Sequence, residues 1–338
     1  MDNLVKKFIE DNYSITVYNI EKIKNVYRVE ADKKLFCFKI IKYEYGHFLF
    51  IYSAMKHLQN KGFKNIPKFI KNIKGNEYTR FNDKNAYLIE WVNARKCNFD
   101  NPLDLFAATT KLAELHKMSE GFTVTSYMKP RIGWLKWITT FRTRCNEILD
   151  FKRRINEKTI KSEFDNLYLK VLNNEIKRCN KSIEHILKTD YEIKMKNEMK
   201  RKGFCHHDYA NHNILIESNG NIDIIDFDYC MLDTHLHDLA SLMIRKMKNG
   251  KWSIDNALEI LNNYNAINKI YQSDIPIIAA FIEFPQSYWQ IGIQYYWEKQ
   301  PWGEEFFIKK LKRIIDDADE RQEFVNEIRK INFRRDLF

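Results

Sequence analysis

Residues 203–230 read GFCHHDYANHNILIESNGNIDIIDFDYC. Within them His206, Asp208 and Asn213 stand in the order H-x-D-x-x-x-x-N. An apolar run at Ile214–Ile216, the tetrapeptide Ser218-Asn219-Gly220-Asn221, a second apolar run at 222–225 and then Asp226-Phe227-Asp228 follow. Asn and Gly accept the positive φ that tight hairpin turns need, so the two runs are expected to pair. Such a hairpin carries Asn213 and Asp226 to the same side of one cleft. Phosphoryl transfer to a hydroxyl needs a carboxylate that orients the attacking group and accepts its proton, and oxygen ligands for Mg²⁺. Asp208 suits the first task; Asn213 and Asp226 suit the second. A lone Asp or Asn in a loop is ordinary turn chemistry. The ordered set of motif, hairpin and D-F-D is far more specific than any part of it.

Outward from this segment the chain divides by pattern. Residues 1–12 read as a short helix with Leu4, Val5, Phe8 and Ile9 along one side. Strand-like runs rich in β-branched and aromatic residues follow at 13–20, 26–30 and 34–41, the last reading KLFCFKII. A helical pattern covers 48–61, with Gly62 placed to end it. Two more strand-like runs lie at 68–73 and 86–91. This order predicts an antiparallel sheet with a packed helix over 1–92. From 93 to 338 the pattern is mostly helical. Asn101-Pro102 marks a helix start, with Leu103, Phe106, Leu112 and Leu115 as its apolar face. Charged helices fill about 133–202, and the helices after His237 are expected to break near Pro276, Pro285 and Pro301. The fold class expected is α+β in two lobes, 1–92 and 93–338, the second carrying a basic helical insertion.

The chain of 338 residues holds 56 Lys+Arg and 45 Asp+Glu, a net charge of +11. Residues 151–202 alone contain 15 Lys/Arg against 8 Asp/Glu, more than half of that excess. Such a charge draws anions without choosing among them, and charge runs on helices are commonly solvated faces. Nothing matches a known nucleic-acid reader, so nucleic acid is not an expected partner. No apolar run approaches the length of a membrane span and the N-terminus has no signal-like apolar core, so a membrane is not expected either and synthesis is expected in the cytoplasm. The six cysteines are scattered without C-x-x-C spacing, which favours reduced thiols. Trp134, Trp137 and Phe141 are spaced as a core stripe. Trp289, Tyr295, Tyr296 and Trp297 read either as core or as sugar-stacking surface.

The motif segment resembles the catalytic and metal-binding loops of the aminoglycoside/choline phosphotransferase superfamily. The run IIDFDYCMLDTHLHDLASLM (224–243) and the run FIEFPQSYWQIGIQYYWEKQPW (281–302) are similar to one branch, the CotS-type spore coat proteins. The resemblance implies a protein-kinase-like fold that binds ATP (or GTP) with Mg²⁺ and phosphorylates a hydroxyl of a small molecule or carbohydrate. It implies Asp208 as the catalytic carboxylate, Asn213 and Asp226 as metal ligands, Lys39 as the strand lysine on the α- and β-phosphates, and Glu90-Trp91-Val92 as the hinge beside adenine. It further implies that Asp238 steadies the catalytic loop, that His206 packs within it, and that Asp228 is a second metal contact. It suggests synthesis in the mother cell, a place in the spore coat and other coat proteins as partners. Two parts of the superfamily pattern are absent. The stretch Glu21 to Val26, where the phosphate loop would lie, has no glycine. The helix after Lys39 offers no acid to pair with it, Glu44 lying just before the helix. These departures keep open a second expectation, an inactive kinase-fold component of the coat.

Overall fold

The computed structural model describes residues 2–333. They form two compact units, one from residues 2–111, 122–131 and 210–230, the other from 112–121, 132–209 and 231–333. The division falls inside one helix and inside the motif segment, between Tyr209 and Ala210.

In the first unit, helix α1 (Asp2–Tyr13) precedes strands β1 (Val17–Ile23), β2 (Val26–Ala31) and β3 (Lys34–Ile40), helix α2 (Tyr45–Asn60), and strands β4 (Thr79–Phe81) and β5 (Lys84–Glu90). The strands make one antiparallel sheet in the order β1-β2-β3-β5-β4. Alternation explains its inner face: Tyr27, Val29 and Ala31 from β2 meet Phe36 and Phe38 from β3 and Ala86 and Leu88 from β5, with Val5 and Ile9 of α1 in the same core. Leu4, read as part of that apolar side, is 54% exposed. Tyr13 ends α1 rather than beginning a strand, and it is buried there. The run at 68–73 is not a strand; only Phe69 pairs, with Ile89. The Asn72 side chain accepts from the N–H groups of Lys74 and Asn76 and turns the chain before it can extend. A second, three-stranded sheet joins β6 (Arg95–Lys96), β7 (Ile214–Ile216) and β8 (Ile222–Ile224). The β7–β8 hairpin forms as read, with Gly220 at φ +85°.

Helix α3 (Pro102–Ser119) opens with the Asn101 carbonyl oxygen of the side chain accepting from Leu103 N–H at 2.9 Å. Of the apolar face expected for it, Leu112 and Leu115 are buried, whereas Leu103 is 78% and Phe106 52% exposed and Leu105 and Ala108 are buried in the first turns instead. Packing covers the expected face over the later turns and a neighbouring one over the first turns.

The second unit is helical: α4 (Trp137–Asn156), α5 (Glu163–Leu187), α6 (Tyr191–Arg201), α7 (Leu236–Met247), α8 (Ile254–Asn265), α9 (Asp274–Glu283), α10 (Gln286–Gly292), α11 (Glu304–Asp316) and α12 (Ala318–Ile328). Helix α9 is apolar nearly all round and packs against α5, α7 and α12, as a central helix must. The helical run breaks before Pro276 as read, α8 ending at Asn265, and Pro276 sits in the first turn of α9, where a missing N–H costs nothing. Of the aromatics of 281–302, Phe284, Tyr288 and Tyr296 are buried, Phe281, Trp289 and Tyr295 are half-buried, and Trp297 and Trp302 are exposed. Tyr288 stacks on Tyr168 at 4.1 Å, Tyr295 on Phe164 at 4.1 Å, and Phe284 on Phe141 at 4.1 Å. Gly292 permits this: a Cβ there would lie 2.6 Å from Tyr168 Oη. All six cysteines are free thiols. Among the described residues no helix is long and apolar enough to cross a membrane.

Candidate active site

In the first unit, alternation along β3 turns Phe36 and Phe38 into the core and leaves Cys37 and Lys39 on the opposite face. Lys39 is 8% exposed. Its Nζ donates to Asp226 Oδ1 at 2.8 Å and to Asp228 Oδ1 at 2.6 Å, and Tyr43 Oη donates to the same Asp228 oxygen at 3.0 Å. Burial works to lower the Lys39 pKa, but Tyr87, Asp228 and Asp226 beside it carry it well above the ordinary lysine value. Burial and the Asp228 charge raise the Tyr43 phenol in turn.

The hairpin presents the two carboxylates. Asn213 closes a short 3₁₀ turn, Asn211–Asn213, and is buried. Its carbonyl accepts from Ile225 N–H at 2.9 Å, so Asn213 and Asp226 lie beside one another at the open end of β7–β8. Asp226 takes φ +64°, a left-handed conformation that costs a non-glycine residue about 1 kcal/mol and recurs at functional positions. Its side chain stays 44% exposed.

The expected lysine partner on helix α2 is absent, and the structure supplies another. Helix α2 carries no acidic residue. Glu44 pairs instead with Lys129, 3.0 Å away, both side chains being largely exposed. The countercharges of Lys39 are Asp226 and Asp228. The turn between β1 and β2, where the superfamily pattern would place a phosphate loop, is tight. Ile23 pairs directly with Val26, leaving only Lys24 and Asn25 in the turn, with Lys24 at φ +52°. Two residues cannot present the run of backbone N–H groups that cradles a phosphate. At the hinge position, Glu90 is exposed and faces Phe36 across the strands, Trp91 N–H donates to Leu35 O at 2.9 Å, and Val92 lies half-buried just past β5.

Asp208 belongs to the second unit. Its Oδ1 accepts from Arg245 Nη2 at 2.8 Å, and the two side chains are 27% and 30% exposed. Behind it lies a buried hub. Asp238 Oδ2 accepts from His206 N–H at 2.8 Å and contacts His116 Nε2 at 3.2 Å; its Oδ1 accepts from His207 N–H at 3.0 Å and contacts His237 Nδ1 at 3.1 Å. Burial works to raise the Asp238 pKa, but the hydrogen bonds and charges of His116 and His237 hold it well below the usual carboxylate range. His206 is fully buried and its Nδ1 accepts from Asp208 N–H at 3.3 Å. His207, at φ +66°, stacks face to face on His237 at 3.7 Å. His237 in turn packs edge-on against Phe281 and Trp137, and Trp137 Nε1 donates to Asp233 at 3.1 Å.

The structure therefore brings Lys39, Asn213 and Asp226 together in one unit and places Asp208 in the other. Sequence reading missed Tyr43, His237 and Arg245. A signal existed for Arg245: it follows Asp238 by seven residues, two helical turns, and so shares its face of α7.

A family model described as "Spore coat putative kinase YutH" matches residues 6–328. No curated protein matches the chain. Among solved structures it is similar to an aminoglycoside phosphotransferase from Alicyclobacillus acidocaldarius, at 20% identity and a TM-score of 0.82 over 96% of this chain and 95% of that one. It is also similar to an AMP-bound spectinomycin phosphotransferase, at 14% identity and a TM-score of 0.70 over 96% and 98% of the two chains. A microcompartment-associated aminopropanol kinase follows, at 12% identity and a TM-score of 0.64 over 97% and 99%. At these identities the likeness establishes a kinase-like fold, an antiparallel sheet with helices followed by a mostly helical remainder.

Proposed function

Because this chain belongs to the YutH family of spore coat proteins, we propose that it is a spore-coat phosphotransferase, using ATP or GTP with Mg²⁺ to phosphorylate a hydroxyl of a small molecule or carbohydrate. One observation carries this reading: Lys39, Asp226 and Asp228 share one charge cluster, and the hairpin sets Asn213 beside Asp226. The donor set fits the cation. Carboxylate and amide oxygens are the hard ligands Mg²⁺ takes, and the two carboxylates already converge on a single positive charge. Asn213 and Asp226 would hold the metal, with Asp228 beside them, and the bound cation would neutralise charge on the phosphates. Lys39, drawn between the same carboxylates, is oriented for the α- and β-phosphates. Glu90 and Val92 flank the backbone offered to the base. Asp208 orients the acceptor hydroxyl and takes its proton, work commonly worth about 10²–10⁴ in rate. The site's address is the spore coat, after synthesis in the mother-cell cytoplasm, with coat proteins as neighbours.

The two-residue β1–β2 turn favours a second reading, in which the kinase fold serves the coat as a binding or assembly module. Titration calorimetry separates the two. The phosphotransferase reading expects saturable binding of ATP·Mg²⁺ or GTP·Mg²⁺, weakened about tenfold or more in Asp226→Ala. Absence of any nucleotide binding by the unmodified chain sinks it and leaves the assembly role, for which Asp208→Asn spores would assemble normally.

A further inference from the structure

We infer that the acceptor presented to Asp208 is itself an anion, a sugar or polyol that already carries a phosphate or carboxylate, held by Arg245 with Lys248 and Lys310 behind it. The inference rests on the phosphotransferase reading and names the substrate class of the same site.

Arg245 lies in the last turn of α7. Its Nη2 rests on Asp208 Oδ1 at 2.8 Å and its Nε reaches Ser241 Oγ at 3.4 Å. A guanidinium has five N–H donors in a fixed fork, so these two contacts leave three. Among the described residues Asp208 is its one ion-pair partner. Both side chains are part-exposed, so a small molecule that docks its hydroxyl on Asp208 meets the remaining donors of Arg245 at once.

The positive charge extends away from Asp208. Lys248 follows Arg245 by one helical turn, and burial together with the Arg245 charge lowers its pKa, with Asp317 acting the other way. Lys310, on α11, donates to Gln294 Oε1 at 2.8 Å and lies 6.0 Å from the centre of the Trp302 ring. Burial and Lys248 lower its pKa as well. Asp317 is already engaged by Gly250 N–H at 3.0 Å and Trp252 Nε1 at 2.8 Å. Like charges held near one another destabilise each other until an anion arrives. Trp302, beside Lys310, is 43% exposed and packs against Phe306 and Phe307. A cationic amine brought to the same place meets a guanidinium on the very carboxylate its hydroxyl must reach.

In the transfer, the acceptor oxygen forms the new P–O bond while the bond between the γ-phosphorus and the β–γ bridging oxygen breaks. The hydroxyl proton passes to Asp208 and the nucleoside diphosphate leaves. Arg245 exchanges no proton; it binds and positions.

The test is titration calorimetry of the full chain at fixed ionic strength. The probes are glucose 1-phosphate, ribose 5-phosphate and glucuronate, set against glucose, ribose and glucosamine. At least one anionic sugar should bind about tenfold tighter than its neutral parent, with glucosamine weakest. Lys248→Gln and Lys310→Gln should each erase several-fold of that preference; Arg245→Gln should erase most of it and Arg245→Lys, which keeps the charge and guards against a misfolded variant, should restore part. The inference is overturned if no anion outbinds its parent sugar, if glucosamine binds tightest, if the preference survives Lys248→Gln and Lys310→Gln, or if inorganic sulfate binds as tightly as every sugar anion. Nucleotide binding is read in a separate titration, so its failure strikes the phosphotransferase reading while failure of the sugar series strikes only the acceptor class.

Discussion

Asp208 and Asp238 are carboxylates of the same unit, thirty positions apart, and they live in opposite circumstances. Asp238 is wholly buried and its two oxygens meet two backbone N–H groups and two imidazoles. Asp208 keeps about a quarter of its side chain exposed and is held by a guanidinium that is equally reachable. A buried carboxylate is tolerable only when its lone pairs are filled, and once filled it has nothing left to offer a substrate. The partly open one stays within reach of a small molecule. Their difference separates the residue that shapes the loop from the one we propose acts in it.

The comparison can be broken at three places, in order of expected effect. Asp238→Ala strands the His206 and His207 amides and two imidazoles in the interior. It should lower the unfolding free energy by about 3 kcal/mol or more in urea titration; a loss below about 1 kcal/mol would contradict the hub's role. Asp233 gives the middle case. Burial raises its pKa to about 6, with His237 and Trp137 opposing. Its folded pKa lies above the unfolded value, so the folded chain binds more protons between about pH 4 and 6, and this group's contribution to stability falls as pH rises through that window. Asp233→Asn should flatten that part of the stability profile relative to the unmodified chain, while depressed groups such as Asp238 continue to favour the higher pH. An unchanged slope counts against a raised Asp233. Asp208→Asn should move stability least, by about 1 kcal/mol or less, in the same urea titration that registers Asp238→Ala strongly. A large loss there would make Asp208 structural and erase the distinction.

How far the sequence revealed this arrangement depends on the distance over which each signal acts. The hairpin between Asn213 and Asp226 was legible because turn chemistry and β-branched runs are local. The start of α3 at Asn101-Pro102 was legible for the same reason. Leu112 and Leu115 were legible as its buried side, but the face of its first turns was not, since Leu103 and Leu105 are equally apolar and only packing decides which is covered. The run at 68–73 has strand-like composition, but the Asn72 side chain captures backbone N–H groups and composition does not register that. The neighbouring helix offers Lys39 no acid; its partners come instead from residues 187 and 189 positions later. Arg245 was one basic residue among 56 Lys and Arg until the fold put it on Asp208.

The contacts that fill Asp238 also set a clock. With the amides of His206 and His207 and the first turn of α7 tied to one buried carboxylate, loop and helix open together or not at all. Deuterium should therefore reach those two amides only through the larger unfolding events of the unit, slower than it reaches the exposed β1–β2 turn. Any breathing that lets molecules in and out must come from other parts of the chain, because this loop is built to stay still.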